Sequence, residues 1–383
     1  MTRLRIFMIA GEASGDALGA ALLSGLRELA PGTQAQGVAG VQMQALGMES
    51  LFPMEELSVM GLAEVLPKYR HLKRRIAQTA QAVLDEKPDV LISIDSPDFC
   101  LRVAKIVRAE DPSIRTVHYV APSVWAWRPG RAVKMARMID QVLALLPFEP
   151  PYMEAAGMRC DFVGHPVVGM PQATRAQADA LRAALHVGDA PLVLVLPGSR
   201  RSEVNRLMPI FGEALAQLAT QRPNMQVVLP AAPGVGPILA EAAACWRIPV
   251  HIIGADDPEQ KRAAFKAADV ALAASGTVSL ELAAAGTPMV IGYQLSWLTT
   301  QIMRRMALID TATLVNLVSE TRVVPEYLGE KCTPTALCNA LGRVLDDPSA
   351  QQRACELTME RLGRGGESPG LRAARAVLNG LDS

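Results

Sequence analysis

The chain has 383 residues, half of them hydrophobic and a fifth charged. That length and composition suit two α/β domains with sizeable cores and exclude a disordered chain. Lys plus Arg and Asp plus Glu number 38 each, so no global charge recruits nucleic acid, though a local basic patch is still open.

Six cysteines, Cys100, Cys160, Cys245, Cys332, Cys338 and Cys355, form no C-x-x-C pair and no zinc-spaced cluster with histidine. They read as free thiols in a reducing cytoplasm. The first ten residues run straight into a strand-like stretch and lack the features of a signal peptide. Residues 282–303 carry no charge over 22 positions, but Gly286, Pro288, Gly292, Gln294 and Gln301 break them. They read as a helix end, a buried strand at 289–291 and a loop, not a membrane span.

In chain order, residues 5–10 read as a strand and 16–29 as its following helix. A helix at 72–86 precedes a strand at 90–94. Further strands are expected at 116–120 and 141–145. The pattern restarts with a strand at 191–196, a helix near 206–221, and strands at 226–229, 250–253, 270–273 and 289–291. Strands alternating with helices imply parallel βαβ units. The expected organisation is an N-terminal domain over 1–168, joined by a C-terminal helix over 358–383. A helical linker follows at 169–190, and a second domain over 191–357. Two doubly wound domains would place a cleft between the carboxyl ends of two sheets.

Three glycine turns follow strands and open helices. Gly11-Glu12-Ala13-Ser14-Gly15-Asp16 allows close approach of a ligand and offers free N–H groups to an anion or sugar hydroxyls. It is neither the dinucleotide fingerprint nor a P-loop. It is open to a plain reading as a strand-to-helix turn. Leu196-Pro197-Gly198-Ser199-Arg200 repeats the logic: Ser199 and the backbone can hold a pyrophosphate, and Arg200 can neutralise a phosphate leaving group. In Ala274-Ser275-Gly276-Thr277-Val278-Ser279-Leu280-Glu281, Ser275, Gly276 and Thr277 supply donors. Glu281 either accepts ribose hydroxyls or partners the helix dipole.

Asp95-Ser96-Pro97-Asp98 ends the 90–94 strand, where α/β proteins place their chemistry. One carboxylate could act as a general base on a hydroxyl, or both could cap the loop. Three aromatics fall within nine residues in His118-Tyr119-Val120-Ala121-Pro122-Ser123-Val124-Trp125-Ala126-Trp127-Arg128. Their flat faces suit sugars or acyl chains, or they pack a local core. His165, in Val163-Gly164-His165-Pro166, is a ligand contact or a hinge residue. Leu57, Val59, Met60, Leu62, Val65 and Leu66 are followed at once by Lys68, Arg70, His71, Lys73, Arg74 and Arg75. Apolar residues beside a basic cluster fit a segment at an anionic membrane surface, or an ordinary amphipathic helix.

Taken together, GEASGD (11–16), DSPDF (95–99), HYVAPSVWAWR (118–128), LPFE (146–149), VGHP (163–166), LPGSR (196–200) with Glu203-Val204, and ASGT…LE (274–281) resemble the lipid-A-disaccharide synthase family. The series runs through nearly the whole chain. The resemblance implies an α/β, GT-B fold: two Rossmann-like doubly wound domains facing a central cleft, with no required metal or other cofactor. It implies an inverting hexosyltransferase of lipid A and lipopolysaccharide biosynthesis. UDP-2,3-diacylglucosamine would be joined to 2,3-diacylglucosamine 1-phosphate in a β-1,6 linkage, with release of UDP.

Asp98 then matches the family's essential acid and is the expected base, with Asp95 in reserve. Arg200 matches its essential arginine. Ser199, Ser275, Gly276, Thr277, Glu281 and Asn316 would line the nucleotide side. Gly11, Glu12, Ser14, Gly15, Asp16, Ser123 and Trp127 would line the acceptor side. Cys100 and Val315 depart from the family's more common Asn and Pro. The implied setting is cytoplasmic and peripheral on the inner membrane, a homodimer is open, and nucleic acid is not a partner. A UDP-N-acetylglucosamine 2-epimerase or a GT-B transferase with a non-lipid acceptor would leave the 57–75 and 118–128 stretches unexplained, and a non-enzymatic nucleotide-sugar or lipid-binding protein would show no turnover.

Overall fold

Residues 4–57, 62–294 and 308–381 are described by a computed structural model, with side chains in 62–69 outside the description. The chain divides into two compact units, Met1–Gly169 with Gly365–Ser383, and Met170–Arg364.

In the first unit, β1 (Arg5–Ala10), β2 (Gln34–Val38), β3 (Glu49–Ser50), β4 (Val90–Ile94), β5 (Arg115–Tyr119), β6 (Gln141–Ala144) and β7 (Arg159–Phe162) form a parallel sheet. Their order is β3-β2-β1-β4-β5-β6-β7. The helices are α1 (Ala13–Leu29), α2 (Val41–Ala45), α3 (Leu62–Glu86), α4 (Pro97–Glu110), α5 (Gly130–Met135) and α6 (Pro150–Glu154).

The second unit repeats the plan. β8 (Leu192–Leu196), β9 (Gln226–Pro230), β10 (Val250–Ile253), β11 (Val270–Ala273), β12 (Met289–Tyr293) and β13 (Glu326–Leu328) are ordered β10-β9-β8-β11-β12-β13. Its first helices are α7 (Arg175–Ala184), α8 (Arg201–Gln221), α9 (Gly236–Ala244), α10 (Pro258–Ala267) and α11 (Val278–Ala285).

The central strands are largely apolar because helices cover both faces of a parallel sheet. Val90–Ile94 and Leu192–Leu196 are buried at every position. The strands that sequence reading missed, β2, β3, β7 and β13, are short or partly polar, so no apolar run marks them.

In each sheet the chain builds outward on one side of its first strand and then crosses to the other. The crossings put β1 beside β4 and β8 beside β11. Such switch points open a crevice at the carboxyl ends of the two strands. The turns 11–16 and 95–98 flank the first one, and 196–200 and 274–281 flank the second.

Three expectations change. The helix expected at 72–86 begins at Leu62. The helix expected over 358–383 is two helices, Ser349–Arg361 and Pro369–Leu381. Gly363 and Gly365, at φ 102° and 81°, turn the chain between them, a conformation that side chains other than glycine rarely adopt. The segment expected as a linker contains α7, which packs on α10 within the second unit.

The helix Pro369–Leu381 returns to the first unit and lies on α1. Ala373, Ala374 and Val377 join the core there. Two glycines let the backbones meet. A Cβ on Gly25 would come within 2.8 Å of the Gly370 carbonyl oxygen, and one on Gly370 within 2.7 Å of the Ala21 carbonyl oxygen. The buried Gln141 donates to the Ala376 carbonyl at 2.8 Å, tying the helix to β6. Gly25→Val should therefore lower unfolding stability by about 1–3 kcal/mol, the usual cost of overpacking. Urea denaturation reads this, and an unchanged midpoint would mean that the helix does not seat on α1 this closely.

Candidate active site

The second unit carries a cavity of about 580 Å³ at the carboxyl edge of its sheet. Both predicted turns line it: Leu196, Pro197, Gly198, Ser199 and Arg200 on one side, Ala274, Ser275, Gly276, Thr277 and Glu281 on the other. Arg200 is the N-cap of α8 in extended conformation, which leaves first-turn N–H groups of α8 for an anion. Gly198 holds φ 109° and lies so close to Glu203 that a Cβ would meet its Oε2 at 2.5 Å. Glu203 accepts from the Tyr293 hydroxyl at 3.1 Å and pairs with the Arg200 guanidinium at 3.6 Å. The Arg200 side chain is still 61% exposed, so its charge is available to a ligand.

Glu281 sits in the first turn of α11 and accepts from Lys261 Nζ at 3.2 Å. Lys261 also lies 5.3 Å from the centroid of the Phe265 ring. Both residues come from α10, and no motif in the sequence marked them. Asn316 is placed elsewhere. It is buried, donates to Thr311 Oγ1 and the Val324 carbonyl, and accepts from Val324 N–H at 3.0 Å. Its amide holds its own loop together and is absent from the residues lining the cavity.

In the first unit, Gly11 and the Asp95-Ser96 turn meet at the switch point: a Cβ on Gly11 would lie 2.4 Å from Ser96 Oγ. Asp95, Ser96 and Val120 hold φ of 52°, 42° and 85°. Each costs on the order of 1–3 kcal/mol and persists because its surroundings hold it. The Asp95 N–H donates to the Tyr119 carbonyl at 2.9 Å, and the Val120 N–H to the Leu143 carbonyl at 3.0 Å. Such strain on one sheet edge makes it a candidate functional rim. Asp98 is exposed in the first turn of α4, behind Pro97. Ser14 and Ser123 are exposed, Glu12 is partly buried at the start of α1, and Gly15 packs near the Ile94 carbonyl.

Asp16 departs from the expected acceptor contact. It is 3% exposed, and its carboxylate accepts from the N–H groups of Gly40, Gln42 and Met43, capping α2. The aromatic block divides in two. Trp125 is buried, meets Phe148 edge to face at 5.1 Å, and donates its indole N–H to Glu149 Oε1 at 3.2 Å. Trp127 is half-buried beneath the Arg128 guanidinium, 4.3 Å away. His118 is a core residue at 2.7 Å from Ser93 Oγ, its pKa held down to about 4, chiefly by burial. His165 Nδ1 accepts from the Val167 N–H at 3.2 Å, and burial holds its pKa down to about 4. Burial and the neighbouring Asp95 carboxylate push the Cys100 thiol up to about 12, so it stays a neutral packing group.

Of the proposed membrane stretch, Val59 and Met60 lie outside the described residues. Leu62, Val65 and Lys68 fall on α3 with side chains outside the description. Arg70, Lys73 and Arg74 are exposed. Arg75 is spent on a two-pronged contact with Glu56 at 2.8 Å and a stack on Phe52, and His71 lies 2.5 Å from the same carboxylate. Those contacts, Arg75 first, hold Glu56 below the usual carboxylate range. Among the described residues no helix is long and apolar enough to cross a membrane, and no group of three or more His, Cys, Asp or Glu could hold a metal ion.

Two parallel doubly wound units, each with its turns at a switch point, define a GT-B protein. Solved structures with this fold include a UDP-GlcNAc 2-epimerase from Neisseria meningitidis bound to UDP-GlcNAc, with TM-score 0.60, 12% identity, and 99% of this chain and 98% of that one covered. The MurG of Acinetobacter baumannii gives TM-score 0.57 at 14% identity, with 99% of each chain covered.

Sequence narrows the class: a family model described as lipid-A-disaccharide synthetase matches residues 6–370. The lipid-A-disaccharide synthase of Ruegeria pomeroyi is 62% identical, covering 99% of this chain and 96% of its own. That of Rhodospirillum centenum is 47% identical, covering 99% and 95%. The chain belongs to the lipid-A-disaccharide synthase family.

Glu149 yields a test of the Trp125 region. It is 4% exposed and accepts from the Leu145 and Leu146 N–H groups as well as from Trp125. Burial outweighs these bonds and raises its pKa from 4.5 to about 7. An acid whose folded pKa is raised costs stability above it: the penalty is absent below the unfolded pKa and grows as pH rises from 4.5 to 7. Replacing it removes a penalty of at most about 3 kcal/mol. The stability deficit of Glu149→Gln should therefore shrink between pH 5 and pH 8, measured by urea titration at both. A deficit that grows with pH would show that the folded protein prefers the ionised carboxylate.

Proposed function

We propose that this chain is an inverting glycosyltransferase that joins UDP-2,3-diacylglucosamine to 2,3-diacylglucosamine 1-phosphate, forming the β-1,6-linked disaccharide 1-phosphate and UDP. The observation that carries this reading is the cavity that unites the 196–200 and 274–281 turns, in a chain that matches its family over residues 6–370. UDP-sugar is the donor. Ser199, Ser275, Gly276, Thr277 and the α8 N-terminus hold the diphosphate, and Glu281 accepts the ribose hydroxyls in place of its contact with Lys261.

Asp98, with Asp95 as the reserve, takes the proton of the acceptor 6-hydroxyl as that oxygen bonds to the anomeric carbon. The bond from that carbon to UDP breaks, and its electron pair leaves on the diphosphate, whose charge Arg200 stabilises. With a guanidinium and backbone N–H groups in that role, the reaction needs no metal. The exposed Arg70, Lys73 and Arg74 on α3 hold the enzyme to an anionic membrane surface, where both lipid substrates reside.

The test is UDP release from UDP-2,3-diacylglucosamine in detergent, with and without acceptor, with EDTA, for wild type, Asp98→Ala and Arg200→Ala. The expected result is acceptor-dependent, EDTA-resistant release that falls about 10²–10⁴-fold without the base and about 10²–10³-fold without the arginine. Full activity of Asp98→Ala would remove that residue from the chemistry. Loss in EDTA would sink metal independence, and release that ignores the acceptor would sink the transfer itself.

A further inference from the structure

Two arginines on the first unit have no part in the chemistry above. Arg128 is exposed, holds φ 52°, and has its guanidinium 4.3 Å from the Trp127 ring centroid. Arg131 follows three residues on, half-buried in α5. Among the described residues neither guanidinium makes an ion pair or a hydrogen bond. Arg75, Arg108, Arg159, Arg182 and Arg322, by contrast, each hold a carboxylate.

Their place in the fold matters as much. The 120–131 segment leaves β5 beside β4, whose end carries Asp95 and Asp98. The other loops at that edge, 11–12, 39–40, 51–57, 95–96, 145–149 and 163–166, contain no Lys or Arg. Arg128 in the loop and Arg131 in the first turn of α5 are therefore the basic residues that these connections themselves carry, while Arg75 and His71 reach Glu56 of the 51–57 loop from α3.

The two substrates of the reaction proposed above carry the same diacylglucosamine. They differ at the anomeric position, where one bears UDP and the other a bare phosphate. An acceptor site must neutralise that phosphate, because a desolvated anion without a partner is costly. A guanidinium braced on an aromatic face, with its donors unspent, suits bidentate phosphate binding. We propose that Arg128, with Arg131 beside it, forms the subsite for the acceptor's anomeric phosphate and so decides which of the two similar sugars this edge accepts. The inference rests on the glycosyl-transfer reading.

The experiment measures KM and kcat in neutral detergent for wild type, Arg128→Ala, Arg128→Lys and Arg131→Ala. Each is assayed with 2,3-diacylglucosamine 1-phosphate and with its dephosphorylated counterpart. Arg128→Ala should raise KM for the phosphorylated acceptor about 10- to 100-fold, the range of losing charge-assisted hydrogen bonds. KM for the donor and for the dephosphorylated acceptor should not move. Arg128→Lys, which keeps the charge and loses the fork, should fall between. Sedimentation with phosphatidylglycerol vesicles should be the same for wild type and Arg128→Ala. Equal losses on both acceptors, no loss on either, or lost vesicle binding with KM intact would overturn the subsite. A wild type that turns over neither acceptor would overturn the transfer reading and the subsite with it.

Discussion

Each sheet reverses its direction of growth once, beside its first strand, and the rest of the structure depends on that reversal. Parallel strands send every βα connection to the same edge. Where neighbouring connections run to opposite sides, they part and leave room for a ligand. Some of the chain's glycines and strained residues stand there. Gly11 faces Ser96 across one switch point. Gly198 at φ 109° and Gly276 at φ 147° belong to the turns of the other.

The two edges differ in charge. The second unit's cavity holds Arg200 and Lys261, each balanced by a glutamate that a ligand can displace. That suits a nucleoside diphosphate, whose charge grows as it leaves. The first unit's edge carries Asp95 and Asp98, the carboxylates proposed for proton removal, and the arginines of its connecting segments follow β5. A glycosyl transfer needs this opposition: a base where the acceptor hydroxyl attacks and cations where the leaving group departs.

Burial decides which polar residues stay structural. Asp16, Asn316 and Glu149 lie within motifs or near them, yet each turns inward and satisfies backbone groups. Buried polar atoms must find partners, and an unsatisfied one costs more than a made bond returns. These side chains shape the loops that carry the exposed groups. Their presence in a motif reflects the precision of those loops.

The sequence by itself determined the class of the fold and the places of its turns. Short, mostly apolar runs such as 90–94, 192–196 and 270–273, bounded by turn residues and alternating with helical stretches, point to buried strands of a parallel sheet, and the turns after them mark its carboxyl edge. Arg200 and Glu281, singled out at fixed offsets from those strands, line one cavity in the fold, and Asp98 stands exposed at the head of α4. Tertiary structure alone decided what each polar side chain touches. Nothing in residue order shows that Asp16 caps a helix 25 residues on, that Lys261 reaches Glu281, or that Arg128 rests on Trp127 without a carboxylate partner among the described residues. Local pattern sets which residues face inward, whereas hydrogen bonds between distant segments depend on packing that only the folded chain creates.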